Sequence, residues 1–523
     1  MSAADHTSEA TNGNARVATP AVRTRWGRVR GYVDAGIQVF KGIPYGAPTH
    51  GQRRFLPPEP PAAWSDVRDV FEYGDQSPQV SGSGRTKLFR SWRVETGTSE
   101  DCLRLNVLTP SLRDGKKRPV MVWFHGGGFS SLNGSSRAYE GTRLARRGDV
   151  VVVTLNHRLN VFGYLYLAGL GGSRFERTGI AGQLDLIAAL EWVRDNIEEF
   201  GGDPDNVMIF GESGGGAKVS TLMAMPAARG LFHRAAIQSG PMLSGVTPER
   251  ATGAAVALLE ALDLGAKDMS KLLELPADAL VAAYAKLANT HHARSFAPVV
   301  TGELPRHPFH PDAPAVSAGV PLLVGFNKDE TSLFVTDKAI FDLDWAALPA
   351  RILSTYRKLD APALIARMRE LRPKATATEL YFAITTAIMM GSNSIRIAER
   401  KAALKAAPAY LYQVDWETPV EGGRFGSPHA VEIPLVFDTV GASASMLGED
   451  PTAPQKLADQ MSEAWIAFAR TGNPNTAAIP DWPAYDAQRR ATMVFDTQTR
   501  VVDDYRGEER QLFDSLPSFG IAG

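Results

Sequence analysis

The sequence predicts an α/β protein: a large mixed, mostly parallel sheet flanked by helices, with helical insertions. Three observations predict it. Two continuous Val-rich runs, PVMVWF (119–124) and VVVVTLN (150–156), have the composition of strands buried on both faces. Strand-like runs alternate with helical patterns along the chain, the order that builds parallel sheets. Two Ala- and Leu-rich stretches, 245–290 and 340–405, carry helical periodicity and interrupt that alternation.

The elements follow in order. RTRWGRVRGY and IQVFKGIPYG read as two strands joined by VDAG. After the two Val-rich runs, QLDLIAALEWVRDNIEEF (183–200) reads as an amphipathic helix, ended by GGDPDN. VMIF (207–210) is a short buried strand and AKVSTLMAM a helix. AAIQ, PLLVGF (321–326), PAYLYQVDW (408–416) and TMVFD (492–496) return to strand. No repeat period or low-complexity linker divides the chain, so one domain is expected over 22–523. The polar, small-residue N-terminus, MSAADHTSEATNGNAR, lacks an apolar core and is expected to be a disordered tail over 1–21.

Composition narrows the function. Lys and Arg total 56 against 57 Asp and Glu, so no basic excess points to nucleic acid. The single cysteine, Cys102, allows no intrachain disulfide and no thiolate zinc site. No apolar run reaches the roughly 18–20 residues of a membrane span. A soluble, cytoplasmic protein without metal or cofactor is expected.

The chemistry concentrates at IFGESGGGAKVS (209–220). Strand, G-x-S-x-G, helix is the context in which a serine is held proud of a sheet, with Gly211 and Gly215 where side chains would collide with neighbouring elements. Ser213 then stands at a helix N-terminus, which favours developing negative charge. A phosphate loop is excluded because Lys218 is followed by Val219. A serine nucleophile needs a base, and the base an acid, in chain order Ser, Asp/Glu, His. Nine of ten histidines precede residue 311, which leaves His429 in the loop GRFGSPHAVEIP. Asp329 and Glu330 both follow the strand PLLVGF, and order does not choose between them. WFHGGGFSS places His125-Gly126-Gly127-Gly128 at another strand end, where bare backbone N–H groups can approach a substrate oxygen. Phe129, Phe296, Phe382, Met389 and Met390 fit core packing better than a substrate pocket. His291 and His292 are adjacent and share no helix face, so they do not form a metal pair.

These residues resemble the type-B carboxylesterase family, the cholinesterase-like branch of the α/β-hydrolases, over about residues 24–505. The likeness is carried by FKGIPYGAP, GQRRFLPPEPPAAW, SEDCLRLNVLTP, VMVWFHGGGF, NHRLNVFGYL, ALEWVRDNIEEFGGDPDNVMIFGESGGG, GFNKDET, PHAVEIPLVF and FARTGNPN. It implies an α/β-hydrolase fold and a triad of Ser213, Glu330 and His429, resolving the acid as Glu330. It further implies oxyanion donors on Gly127, Gly128 and Gly214, and ion pairs Arg54–Glu100 and Arg158–Asp185. The implied activity is hydrolysis of small-molecule carboxylic esters through an acyl-enzyme; the triad does not separate esters from carbamates or amides. Three departures stand out. Ser77 occupies the position that in the family pairs with the cysteine at 102, Leu186 stands where Gln is frequent, and Gly214 where Ala is frequent.

Overall fold

The Val-rich runs form the centre of one sheet. The structure, a computed structural model, describes residues 16–82, 86–288 and 290–516. Its main sheet has twelve strands in the order Val17–Ala18, Tyr32–Asp34, Ile37–Pro44, Arg104–Thr109, Val151–Leu155, Arg118–Phe124, Gly202–Glu212, Arg234–Gln238, Leu322–Asn327, Ala409–Val414, Thr492–Phe495, Arg500–Val502. From Val151–Leu155 to Thr492–Phe495 every neighbouring pair is parallel. The flanking strands are antiparallel.

Alternation divides the central side chains between two cores. Val120, Val122, Phe124, Val151, Val153, Val207 and Ile209 enter one core. Met121, Trp123, Val152, Met208 and Phe210 enter the other. All are at most 1% exposed, as apolar runs covered by helices on both faces must be. The chain leaves Arg118–Phe124 for a strand on one side, then returns to place Gly202–Glu212 on the other. The carboxyl ends of these two strands therefore flank a topological switch point, where open α/β sheets form their crevice.

Several elements differ from expectation. Of the tail expected over 1–21, residues 1–15 lie outside the described residues, but Val17–Ala18 pair with Tyr32 and Val33. Thr19 N–H also donates to the Gly31 carbonyl at 2.9 Å. An unpaired sheet edge recruits these residues despite their tail-like composition. The first expected strand breaks at Gly31. Arg28–Arg30 joins a separate three-stranded sheet, while Tyr32–Asp34 forms the hairpin with Ile37–Pro44. Its turn, Ala35 and Gly36 at φ 46° and 83°, has both central residues left-handed, as a tight hairpin requires. The helix expected over 183–200 is Ala181–Asn196 followed by a 3₁₀ turn, Ile197–Phe200. Its first half is buried all round, where Arg158 pairs with Asp185 and the Lys218 carbonyl accepts from Gln183, while Glu191, Arg194 and Asp195 expose one face of its second half. The insertions are helical as expected. Pro248–Ala261, Met269–Glu274 and Ala277–Lys286 share one satellite core, and the helices of residues 348–386 another. Among the described residues no helix is long and apolar enough to cross a membrane.

Both implied ion pairs are present and buried. Arg54 donates to both oxygens of Glu100 at 2.8 and 2.5 Å, and Arg158 to both of Asp185 at 2.9 and 2.6 Å. The fork geometry offsets desolvation only while both partners stay. Cys102 is a free thiol at 0% exposure, and burial pushes its pKa up to about 12. Ser77 lies within hydrogen-bonding reach of it and is itself buried. Ser77→Cys is therefore expected to form a disulfide with Cys102. Closing the 26 residues from 77 to 102 contributes about 3–4 kcal/mol in the chain-entropy account. The checks are loss of the titratable thiol and a melting temperature several degrees higher when oxidised than when reduced. An unchanged melting temperature with the bond formed would contradict the expectation.

Candidate active site

Three strand ends and one loop build the site. Gly202–Glu212 turns directly into the helix Gly214–Leu222, and the turn residue Ser213 takes φ 57°, ψ −122°. A non-glycine residue there is strained and persists only because its surroundings fix it. Ser213 N–H donates to the Gln238 carbonyl at 2.8 Å. The motif glycines are steric necessities: a Cβ on Gly211 would lie 2.6 Å from the Phe124 carbonyl oxygen, and one on Gly215 would overlap that oxygen. Ser213 itself is half-buried, open on one side.

The loop after Arg118–Phe124 runs over this elbow. A Cβ on Gly126 would be 3.4 Å from Ser213 Cβ, and one on Gly214 would overlap the Gly128 carbonyl. Gly127 and Gly128 are left-handed, at φ 80° and 61°. Among the described residues their N–H groups have no acceptor. Gly214 opens its helix, where an N–H has no intrahelical acceptor either. Free donors from two strand ends thus gather beside Ser213. Lys218, one turn along the same helix, is fully buried, and its Nζ donates to the carbonyls of His125 and Gly128, each at 2.9 Å. Burial lowers its pKa to about 7, with Glu212 pulling the other way.

Glu330 and His429 meet from the other side. Leu322–Asn327 ends in a turn that presents Glu330, fully buried. Its Oε1 accepts from Asn327 N–H at 2.7 Å and its Oε2 meets His429 Nδ1 at 2.5 Å. Asp329, the neighbour that chain order leaves equivalent, has another job. Its Oδ2 accepts from Ser427 N–H at 2.9 Å, and its own N–H donates to the Ser427 carbonyl at 2.9 Å. Ser332 Oγ adds a bond to the Phe425 carbonyl at 2.7 Å. These bonds latch the loop carrying His429 to the loop carrying Glu330. The structure therefore joins Glu330 to His429. It does not join Ser213 to His429: among the described residues Nε2 has no hydrogen-bond partner, and Glu212 Oε1 lies 3.0 Å away without bonding geometry. A serine hydroxyl turns about one bond, and such contacts are often loose without substrate.

Residues 18–513 match the carboxylesterase family. The chain belongs to the carboxylesterase family. It is 36% identical over 501 residues to the para-nitrobenzyl esterase of Bacillus subtilis (strain 168), covering 94% of this chain and 98% of that one. It is 31% identical to the phenmedipham hydrolase of Pseudarthrobacter oxydans, covering 91% and 95%. Among solved structures, a Geobacillus stearothermophilus carboxylesterase superposes with a TM-score of 0.82 at 39% identity, covering 94% and 99%. This carboxylesterase has the α/β-hydrolase fold and is a carboxylic ester hydrolase.

Electrostatics around His429 involve more carboxyl groups than the sequence singled out. Glu432, one turn beyond His429, is fully buried; it accepts from Asn327 Nδ2 at 2.6 Å and from Ser239 Oγ at 3.0 Å. Burial, with the charges of Glu212 and Glu330, raises its pKa well above the usual carboxylate range. Burial likewise raises Glu212, opposed by His429. For His429, burial lowers the pKa, but Glu212 and Glu330 outweigh it and lift the imidazole well above its ordinary value. Glu432 stands three residues after His429, and that spacing was the available signal; its approach to Ser239 and Asn327 was not readable. Phe334 lies against the His429 ring at 4.8 Å and is 48% exposed, so it lines the open side of the site. Phe129, Phe296, Phe382 and Met390 are buried, in keeping with core packing. Among the described residues no group of three or more His, Cys, Asp or Glu could hold a metal ion.

Proposed function

We propose that this carboxylesterase cleaves small-molecule carboxylic esters by two-step acyl transfer on Ser213. Ser213 Oγ attacks the ester carbonyl as His429 Nε2 takes its proton. The oxyanion lies against the N–H groups of Gly127, Gly128 and Gly214. It collapses, and the alcohol leaves with the proton from Nε2. Water then attacks the acyl-enzyme by the same route, releasing the acid and restoring Ser213. Glu330 holds the proton of His429 on Nδ1, which leaves Nε2 as the acceptor. The observation that carries this reading is the Glu330–His429 contact on Nδ1, with Nε2 making no hydrogen bond among the described residues though Glu212 Oε1 lies 3.0 Å from it, beside a strained serine under free N–H donors. Each oxyanion donor contributes roughly 3–4 kcal/mol by analogy with measured cases.

The test is an aryl acetate mixed with enzyme in a stopped-flow cell. A phenolate burst equal to the enzyme concentration, and an aryl phosphonate adduct mapped to Ser213, are expected. An adduct on any other residue would overturn the assignment.

The carboxylates around His429 set the acid limb. A protonated imidazole cannot accept the serine proton, so kcat/KM falls as pH drops through the raised pKa of His429. The limb is therefore expected above the ordinary imidazole range of about 6.5. Glu212→Gln removes a charge that raises this pKa, so the limb should move to lower pH. The measurement is kcat/KM against pH with an uncharged aryl ester; a limb that stays in place would contradict the electrostatic account.

A further inference from the structure

We infer that Lys218 is a positioning residue for the oxyanion loop, and that Lys218 and Gly214 are a matched pair which together set where that loop lies. The inference rests on the acyl-transfer reading above and assigns a role that this reading does not use.

Lys218 is 0% exposed and has no carboxylate within ion-pair distance among the described residues. A buried lysine nitrogen without a counter-ion is costly and persists only where its N–H groups find acceptors. Here they are met by two carbonyls of one loop, those of His125 and Gly128, each at 2.9 Å. These carbonyls bracket Gly126, Gly127 and the peptide link to Gly128. Fixing both ends of so short a glycine stretch fixes which way the N–H groups between them face. Glycine alone does not hold such a conformation, since it loses more backbone freedom on ordering than any other residue. The tether supplies what the glycines lack.

The second observation concerns the place to which the loop is drawn. The Gly128 carbonyl that Lys218 holds occupies the space a Cβ on residue 214 would need. Lys218 sits on the same helix as Gly214, four residues on, so one rigid element both pulls the loop in and makes room for it. The departure noted at 214 in the sequence thus has a physical partner at 218. His125, the other tethered residue, uses its Nδ1 on the Gly126 carbonyl at 2.9 Å, and burial and the Lys218 charge push its pKa well down. It is a neutral spacer in the loop rather than a second base.

The experiment is a double-substitution cycle read with a neutral aryl acetate, alongside slow-binding inhibition by an aryl trifluoromethyl ketone, whose adduct carries an oxyanion. Lys218→Met should lower kcat by about 10²–10³, the loss expected when an oxyanion donor is displaced. It should weaken the ketone in parallel and leave KM within about threefold. Lys218→Gln, which keeps donors to the carbonyls, should recover at least about tenfold of that loss. Gly214→Ala alone should lower kcat by more than about tenfold, because the methyl displaces the tethered loop. In a Lys218→Met background the same Gly214→Ala change should cost less than about threefold, because the loop is free to move aside. A kcat within threefold of wild type for folded Lys218→Met, or effects at 214 and 218 that simply multiply, would overturn the inference. Should neither Lys218 variant fold, Gly214→Ala in the otherwise intact chain still decides, since unchanged kcat there means the loop does not occupy that space. Ser213→Ala run in parallel separates the two levels. If it retains turnover, the acyl-transfer reading fails. If it is inactive while Lys218→Met is unaffected, only the matched pair fails.

Discussion

Glu330→Gln is expected to lower kcat by about four orders of magnitude with the fold intact. Glu330 Oε1 accepts from Asn327 N–H at 2.7 Å, and only Oε2 is left for His429 Nδ1. A glutamine has one oxygen to serve two donors. If that oxygen stays on Asn327, the amide nitrogen faces Nδ1 and forces the imidazole proton onto Nε2. The ring then has no lone pair for Ser213, the wrong-tautomer loss that costs about 10⁴ in comparable triads. If the amide flips, a buried N–H faces another N–H, a penalty of about 1–3 kcal/mol. Neither orientation restores a base. Stability should fall by about 1–3 kcal/mol, because the Glu330 charge favours the buried imidazolium of His429 and the substitution removes it. The checks are kcat at saturating aryl ester and the thermal midpoint. A kcat within tenfold of wild type would remove Glu330 from the mechanism and reopen Asp329 as the acid.

Ser213→Ala is expected to abolish the burst and reduce kcat by at least about 10⁴, with loss of phosphonate labelling. Residual hydrolysis should come from the free N–H groups of Gly127, Gly128 and Gly214, which the substitution leaves in place. Ser213 Oγ makes no hydrogen bond among the described residues, and its backbone N–H bond to Gln238 survives. The thermal midpoint should therefore match wild type, within about 0.5 kcal/mol of stability. A variant that is both inactive and destabilised would say that the elbow depends on the hydroxyl for its shape. A variant that still turns over would end the nucleophile assignment.

Much of this site was legible because its logic is local. Gly211 and Gly215 announced a tight strand-to-helix turn, and the structure places the Phe124 carbonyl where their side chains would be. His429 followed from chain order alone. The amphipathic reading of the helix starting at Ala181 holds for its second half, where Glu191, Arg194 and Asp195 are exposed, and misses the first half, where Arg158 on Asp185 and the Lys218 carbonyl on Gln183 match polar residues that are buried. Periodicity measures hydrophobicity and is blind to a buried ion pair. Lys218 was passed over for a related reason: it was tested as part of a phosphate loop, which it is not, and its actual acceptors lie about 90 residues away.

By itself the sequence determined the sheet's buried strands, the serine held between glycines, and the order in which Ser213, the Asp329–Glu330 pair and His429 follow one another. These depend on alternation, on steric room at a turn and on spacing, all of which are written along the chain. The tertiary structure alone decided that Glu330 faces His429 while Asp329 holds the loop of Ser427. Only it showed Glu432 beside that imidazole and Lys218 tying down the glycine loop. Adjacent residues past a strand end point in different directions, and which of them meets a partner some hundred positions away depends on how the loops pack.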